Sequence, residues 1–141
     1  MAREILFKAK RIDNEEWVEG SYLYCEKATT VSFRNEHYIL VFDGYGVAYH
    51  EVDRDTLCQY TGLTDNNGNK IWENDIVGFL DVSSYDNGYS EYYCTGQVKW
   101  DEETLSFEVT ERLSCESYEA LGECEVIGNI FDNPELLEGG A

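Results

Sequence analysis

The side chains best able to do chemistry in this chain are thinly spread. Two histidines, His37 and His50, stand thirteen residues apart, each flanked by a tyrosine and a glutamate. Five cysteines, Cys25, Cys58, Cys94, Cys115 and Cys124, form no Cys-x-x-Cys pair and none stands at zinc-finger spacing from a histidine. A Cys–His nucleophile pair would have to be assembled in space, and Cys58 and Cys94 lie in apolar, strand-like settings where a buried, inert thiol is usual. Asp65-Asn66-Asn67-Gly68-Asn69 is rich in oxygen ligands, but its spacing refuses calcium. An EF-hand loop needs glycine sixth and glutamate twelfth; counting from Asp65, glycine falls fourth and Ile76 twelfth. Gly44-Tyr45-Gly46 lacks the third glycine and the helix of a dinucleotide fingerprint. No phosphate loop or nucleophile elbow is present. The expectation is a non-enzyme with no catalytic residue, no cofactor and no metal.

The elements that must carry these residues read as strands. The chain holds eleven Tyr, six Phe and three Trp but one Pro and one Met, a composition that fits pleated, half-buried surfaces. Residues 4–10 alternate, with Ile5, Phe7 and Ala9 on one face. Asp13-Asn14-Glu15 turns the chain into a second strand over Glu16–Tyr24. Val31-Ser32-Phe33, His37–Phe42 and Val47–Val52 are short strands, and Asp53-Arg54-Asp55-Thr56 is a turn or a single helical turn.

The chain is organised around Leu57–Phe79. Two short strands flank the Asp65–Asn69 turn, where Asn-Gly is a strong hairpin signal. A tight corner at Glu73–Asp75 then feeds a longer strand. Tyr60, Thr61, Gly62, Ile71, Trp72, Asp75 and Ile76 are expected to be structural. Trp72 and Ile76 anchor the corner, and Asp75 accepts backbone N–H bonds in an Asx-type turn.

Ile76–Ser84 and Tyr89–Trp100 flank Asp86-Asn87-Gly88. With Asn87 and Gly88 as the loop, Val77 pairs with Val98. Tyr85, Tyr89, Tyr92 and Tyr93 crowd this tip. They either pack across strands or form a recognition surface, since tyrosine brings contact area at low entropy cost. Leu105–Thr110 alternates with Leu105 inward. A short helix is expected over 114–121, and Glu125–Phe131, apolar on both faces, reads as a central strand. Asn133 and Pro134 open a last helical turn at 134–137, and residues 138–141 should fray.

Length fits one domain. The formal net charge is −19 and uneven: residues 1–70 carry eight Lys/Arg against twelve Asp/Glu, and residues 71–141 carry two against seventeen. Such a field repels phosphates and anionic lipid. Arg3, Lys8, Lys10 and Arg11 concentrate four of the ten basic residues near the start, but Glu4, Asp13, Glu15 and Glu16 mix among them. No signal peptide opens the chain, and no apolar run approaches the ~20 residues of a membrane span. A cytoplasmic protein with free thiols is expected.

Four blocks carry a resemblance. They are Arg3–Ala9; Gln59-Tyr60-Thr61-Gly62-Leu63-Thr64-Asp65; Gly68-Asn69-Lys70-Ile71-Trp72-Glu73-Asn74-Asp75-Ile76-Val77; and Glu125–Leu137. In order and content they resemble the YopX family of small bacteriophage and prophage proteins. Asn74 stands where that family usually has Gly, and Trp72 where Tyr or Phe is common. Cys25–His50 and Ser83–Tyr93 fit no family pattern. The resemblance implies a mostly-β domain with barrel character in phage-encoded cytoplasmic proteins, and it carries over no activity or catalytic residue. Glu73–Val77 followed by Gly96–Trp100 also looks like the strand entry of an SH3-like barrel.

The expected fold is therefore mainly β: hairpins in a partly closed barrel of SH3-like character, with one or two short helical segments, in a single domain over 1–141. The expected function is non-catalytic contact with a protein partner not identified by the sequence, a second copy being one option, in a bacterial host cell. The alternatives are a nucleic-acid-associated module using Lys8, Lys10, Arg11 and tyrosines such as Tyr92, which the net charge opposes, and an acidic mimic of DNA that inhibits a host DNA-binding protein.

Overall fold

The computed structural model describes residues 4–25, 36–85, 88–110 and 124–138, with side chains for all of these but residues 80–93, 110 and 138. The chain divides into two compact units, Met1–Tyr60 and Thr61–Ala141. The fold is mainly β, in two antiparallel sheets. Among the described residues neither sheet closes into a barrel, and the one helix is a single turn.

The first unit holds β1 (Phe7–Lys10), β2 (Trp17–Tyr24), β3 (His37–Phe42), β4 (Val47–Glu51) and the opening of β5 (Cys58–Thr64). Hydrogen-bonded order is β4-β3-β2-β1-β5. β1 and β2 form the expected hairpin, pairing Phe7 with Gly20 and Lys10 with Trp17. Its turn is closed by the Arg11 N–H on the Glu16 carbonyl at 2.9 Å. Alternation sends Ala9 and Phe7 inward to pack with Ile39, Val52, Val18, Tyr22, Val41 and Leu57. Ile5, expected on that face, is exposed because the strand begins two residues after it. Gly20 is needed where β2 meets β3: a Cβ there would lie 2.1 Å from the Leu40 carbonyl oxygen. Between β4 and β5 the chain makes a 3-10 turn, Arg54–Thr56, capped by the Asp53 carboxylate on the Asp55 N–H.

The second unit holds the rest of β5, β6 (Lys70–Trp72), β7 (Asp75–Tyr85), β8 (Gly88–Asp101), β9 (Ser106–Thr110), β10 (Glu125–Asn129) and α1 (Glu135–Glu138). β5 and β6 are neighbours, and the other sheet runs β10-β7-β8-β9. Ile71, Val77, Phe79, Cys94, Val98, Val109 and Cys124 form its core, with Phe107 and Val126 packed against it. Ile76 and Val77 point to opposite faces of β7, yet both are fully buried. The start of β7 is thus covered on both sides.

β7 pairs with β8 two residues out of the expected register: Val77 faces Gly96, not Val98, and Tyr85 faces Gly88. The Asn74 N–H on the Val98 carbonyl, at 2.7 Å, fixes that register from the corner end. A two-residue shift keeps every side chain on its face, so the hydrophobic pattern does not distinguish the two. Leu105 lies in the turn before β9, 71% exposed at φ +55°, a backbone that costs a branched residue roughly 1–2 kcal/mol. β10 is an edge strand and not central, with a bulge between Val126 and Gly128. The expected helix at 114–121 lies outside the described residues. α1 forms one residue later than expected. Its first bond runs from the Leu136 N–H to the Asn133 carbonyl, while the Asn133 side chain turns back to the Asn129 N–H.

Candidate functional site

The stretch read as structural is placed as follows. Tyr60 is 7% exposed and donates its N–H to the Leu6 carbonyl at 2.9 Å. The Thr61 hydroxyl donates to the Ile71 carbonyl at 2.8 Å, tying β5 to β6. Gly62 takes φ +92°, a conformation that favours glycine. Ile71, Trp72, Asp75 and Ile76 are all buried. The Asp75 carboxylate accepts the Trp72 N–H at 2.8 Å, three residues behind it. The corner between them needs Asn74 at φ +71°. The Asn74 side chain accepts from the Gln97 amide at 3.0 Å.

The polar turn is densely hydrogen-bonded. The Asp65 carboxylate accepts the N–H groups of Asn67 at 2.9 Å, Asn69 at 2.8 Å and Val126 at 2.9 Å. The Asn66 N–H reaches the Cys124 carbonyl at 3.0 Å. Burial would raise the Asp65 carboxyl, but those N–H groups and the Asn69 amide outweigh it and hold it below the usual 3.8. Burial first, then the nearby Asp65 and Asp75 carboxylates, push the Cys124 thiol up to about 11. A thiol so placed is protonated at neutral pH and inert. Among the described residues no group of three His, Cys, Asp or Glu side chains could hold a metal ion.

In the first unit the basic residues named as a phosphate contact are engaged locally. The Lys8 and Lys10 ammoniums lie 4.6 and 5.5 Å from the centre of the Trp17 ring. The Arg11 guanidinium donates twice to the Asp13 carboxylate, at 3.0 and 2.7 Å, and holds that carboxyl below its usual value. A cleft of about 510 Å³ gathers Lys10, Arg11 and Arg54, but Glu15, Glu36 and Asp53 line it equally. Its wall carries His37, bonded through Nδ1 to the Tyr22 hydroxyl. Burial raises the Tyr22 phenol, so that hydroxyl is no activated base. The balance of charge gives the cleft no preference for phosphate.

An exposed apolar surface sits instead on the β3–β4 hairpin. Phe42 pairs with Val47 and Leu40 with Tyr49. Alternation therefore sets Phe42, Val47 and Tyr49 on one face, opposite Ile39 and Val41. They are 69%, 38% and 54% exposed, and Tyr45 at the tip is fully exposed. The tip is a tight turn in which Asp43 accepts the N–H groups of Tyr45 and Gly46, with Gly44 at φ +91°. In the sequence this segment reads as strand and loop, and its signal is the tyrosine between two glycines, followed by Val47 and Tyr49 at strand spacing. The four tyrosines first suggested for recognition, Tyr85, Tyr89, Tyr92 and Tyr93, fall on β7 and β8, beyond the side chains described. No described helix is long and apolar enough to cross a membrane.

A family model described as YopX protein matches residues 6–138. The chain belongs to the YopX family. The crystal structure of protein EF1440 from Enterococcus faecalis is similar over 96% of this chain and 99% of that one. Its TM-score is 0.54 at 20% sequence identity, a likeness of fold. A search of curated proteins found no match.

Proposed function

We propose that this YopX-family chain is a non-catalytic protein–protein interaction module of a phage or prophage, acting in the cytoplasm of the bacterial host. The observation that carries the reading is the β3–β4 hairpin. Folding gains nothing from leaving Phe42, Tyr45, Val47 and Tyr49 in water, and contiguous exposed apolar surface marks contact sites. Aromatic side chains are also those that dominate interface energetics. The phage origin rests on the family resemblance. Cys124, its thiol pushed up to about 11, is buried and protonated, which supports the non-catalytic reading.

The test is affinity capture from bacterial lysate with the wild-type chain and with a Phe42→Ser, Tyr45→Ser variant. A reproducible partner that the variant loses supports the reading. No partner, or turnover of a substrate by the purified chain, overturns it.

A second reading has one observation in its favour. Two lysines over one tryptophan, Lys8 and Lys10 on Trp17, form a cationic, aromatic face of the kind on which single-stranded nucleic acid stacks. The net charge of −19 works against every phosphate contact. A gel shift at low salt that moves neither single nor double strands would close this reading.

A further inference from the structure

The β8–β9 hairpin ends in an apolar side chain that neither packing nor backbone preference accounts for. Leu105 is exposed and strained at positive φ, where glycine or asparagine would sit at ease. Close by, Trp100 is 46% exposed and meets Phe107 edge-on at 5.1 Å. A local rule broken without a gain in folding points to function.

The surroundings define what would dock there. The turn carries Asp101, Glu102 and Glu103, and Glu108 follows on β9. Lys99 is the sole lysine or arginine between Gln97 and Thr110. The Asp101 carboxylate accepts the Glu103 N–H at 2.8 Å, and Glu108 accepts the Thr104 hydroxyl at 3.1 Å. The Asp101 carboxylate beside it raises the Glu108 carboxyl above its usual value. In the register Lys99 stands directly across from Glu108, so one cation of the hairpin itself faces the four carboxylates of Asp101, Glu102, Glu103 and Glu108. By the register, Trp100 and Phe107 share one face of the hairpin and Asp101 and Glu108 the other. Glu102 and Glu103 join the two faces at the turn.

We infer that this hairpin end docks a segment of a partner protein in which lysine or arginine flanks an apolar residue. The apolar residue lies against Trp100 and Leu105, and the cations meet the carboxylates around the turn. The inference rests on the reading of the chain as a protein-binding module and specifies a partner chemistry for it. A second copy of this chain is a poor occupant, because the whole chain holds ten Lys/Arg against twenty-nine Asp/Glu. Nucleic acid and anionic membranes are repelled for the same reason.

The experiment is calorimetric titration with a synthetic ten-residue peptide alternating lysine and leucine. A lysine–serine peptide and a glutamate–leucine peptide serve as controls. The lysine–leucine peptide should bind the wild type. It should lose about tenfold or more in affinity on Trp100→Ser with Leu105→Ser, and again on Glu102→Gln with Glu103→Gln. Both variants change surface residues, and an unchanged melting temperature verifies their fold. Equal binding by the lysine–serine peptide, or undiminished binding to the serine variant, would reduce the effect to bulk charge and overturn the inference. No binding to the wild type also overturns it. A partner still captured through the Phe42 and Tyr45 surface would then leave the broader reading standing; its loss as well would end both.

Discussion

The Asp65 carboxylate accepts the backbone N–H of Val126 at 2.9 Å, sixty-one residues along the chain. With the Asn66 N–H on the Cys124 carbonyl, that bond ties the β5–β6 turn to the outer edge of β10. The turn thereby satisfies backbone groups next to β10 that an edge strand would otherwise leave to water.

Replacing Asp65 tests this coupling and its pH dependence. At neutral pH Asp65→Asn should cost about 1–3 kcal/mol, because backbone donors lose a charged acceptor. The folded carboxyl titrates below the usual 3.8. Its contribution is therefore complete above that value and is lost as pH falls through the lower, folded one. Urea midpoints from about pH 7 down to about pH 3 should show the gap between wild type and variant closing at the acid end. A gap that stayed constant would place the effect elsewhere.

Cys124 makes the opposite pH prediction. Its folded thiol is raised from 9.0 to about 11, so the unfolded chain ionises first. The stability this provides is complete below about pH 9 and is lost as pH rises through about 11. The magnitude is on the order of 2 kcal/mol. Cys124→Ala should flatten the alkaline limb of the stability curve, and a thiol reagent at about pH 8 should leave the native Cys124 unmodified. Rapid modification of Cys124 in the folded protein would contradict its placement.

At the corner, Trp72→Ala removes a buried indole and should cost roughly 3–5 kcal/mol. Asp75→Ala orphans the Trp72 N–H and should cost about 1–2 kcal/mol. Melting temperatures should fall in that order. If both variants melted like the wild type but lost a captured partner, the stretch would be a recognition site.

Two glycines separate close approach from open turn. Gly20→Ala drives a Cβ onto the Leu40 carbonyl, a backbone atom that cannot swing aside, and should cost about 1–3 kcal/mol or more. Gly46→Ala meets nothing within 4 Å and should stay within about 0.5 kcal/mol of the wild type. Equal melting temperatures for the two would mean that β2 and β3 are further apart than described.

Much of the fold was legible where local chemistry fixes it. Asn67-Gly68 and the period-two runs around it located β5, β6 and β7, because the turn bonds lie within the turn. The register of β7 on β8 was not legible, since it is set by Asn74 on Val98, outside the loop from which it was inferred. The burial of Ile76 and Val77 on opposite faces gave β7 a continuous apolar run that a central strand explains. The same pattern in β10 misled, because its apolar residues are only half-buried at the edge of the sheet. The departure at Asn74, asparagine for glycine, becomes intelligible at φ +71°, which asparagine tolerates better than other side chains. The exposed hairpin surfaces were hidden for a simpler reason: nothing in an alternating strand says which apolar face is covered.

The Asp65–Val126 bond also orders events during synthesis. Until residues 124–129 leave the ribosome, β7 lacks a neighbour on one side, and the Asp65 carboxylate lacks the Val126 donor it will hold. A growing chain therefore carries an open, apolar strand edge for about fifty residues of translation, several seconds at ordinary elongation rates. During that interval the segment around Ile76 and Val77 is the one most able to pair with another nascent chain. Shortening the chain before Cys124 should yield insoluble protein, whereas removing residues after Glu138 should leave it soluble.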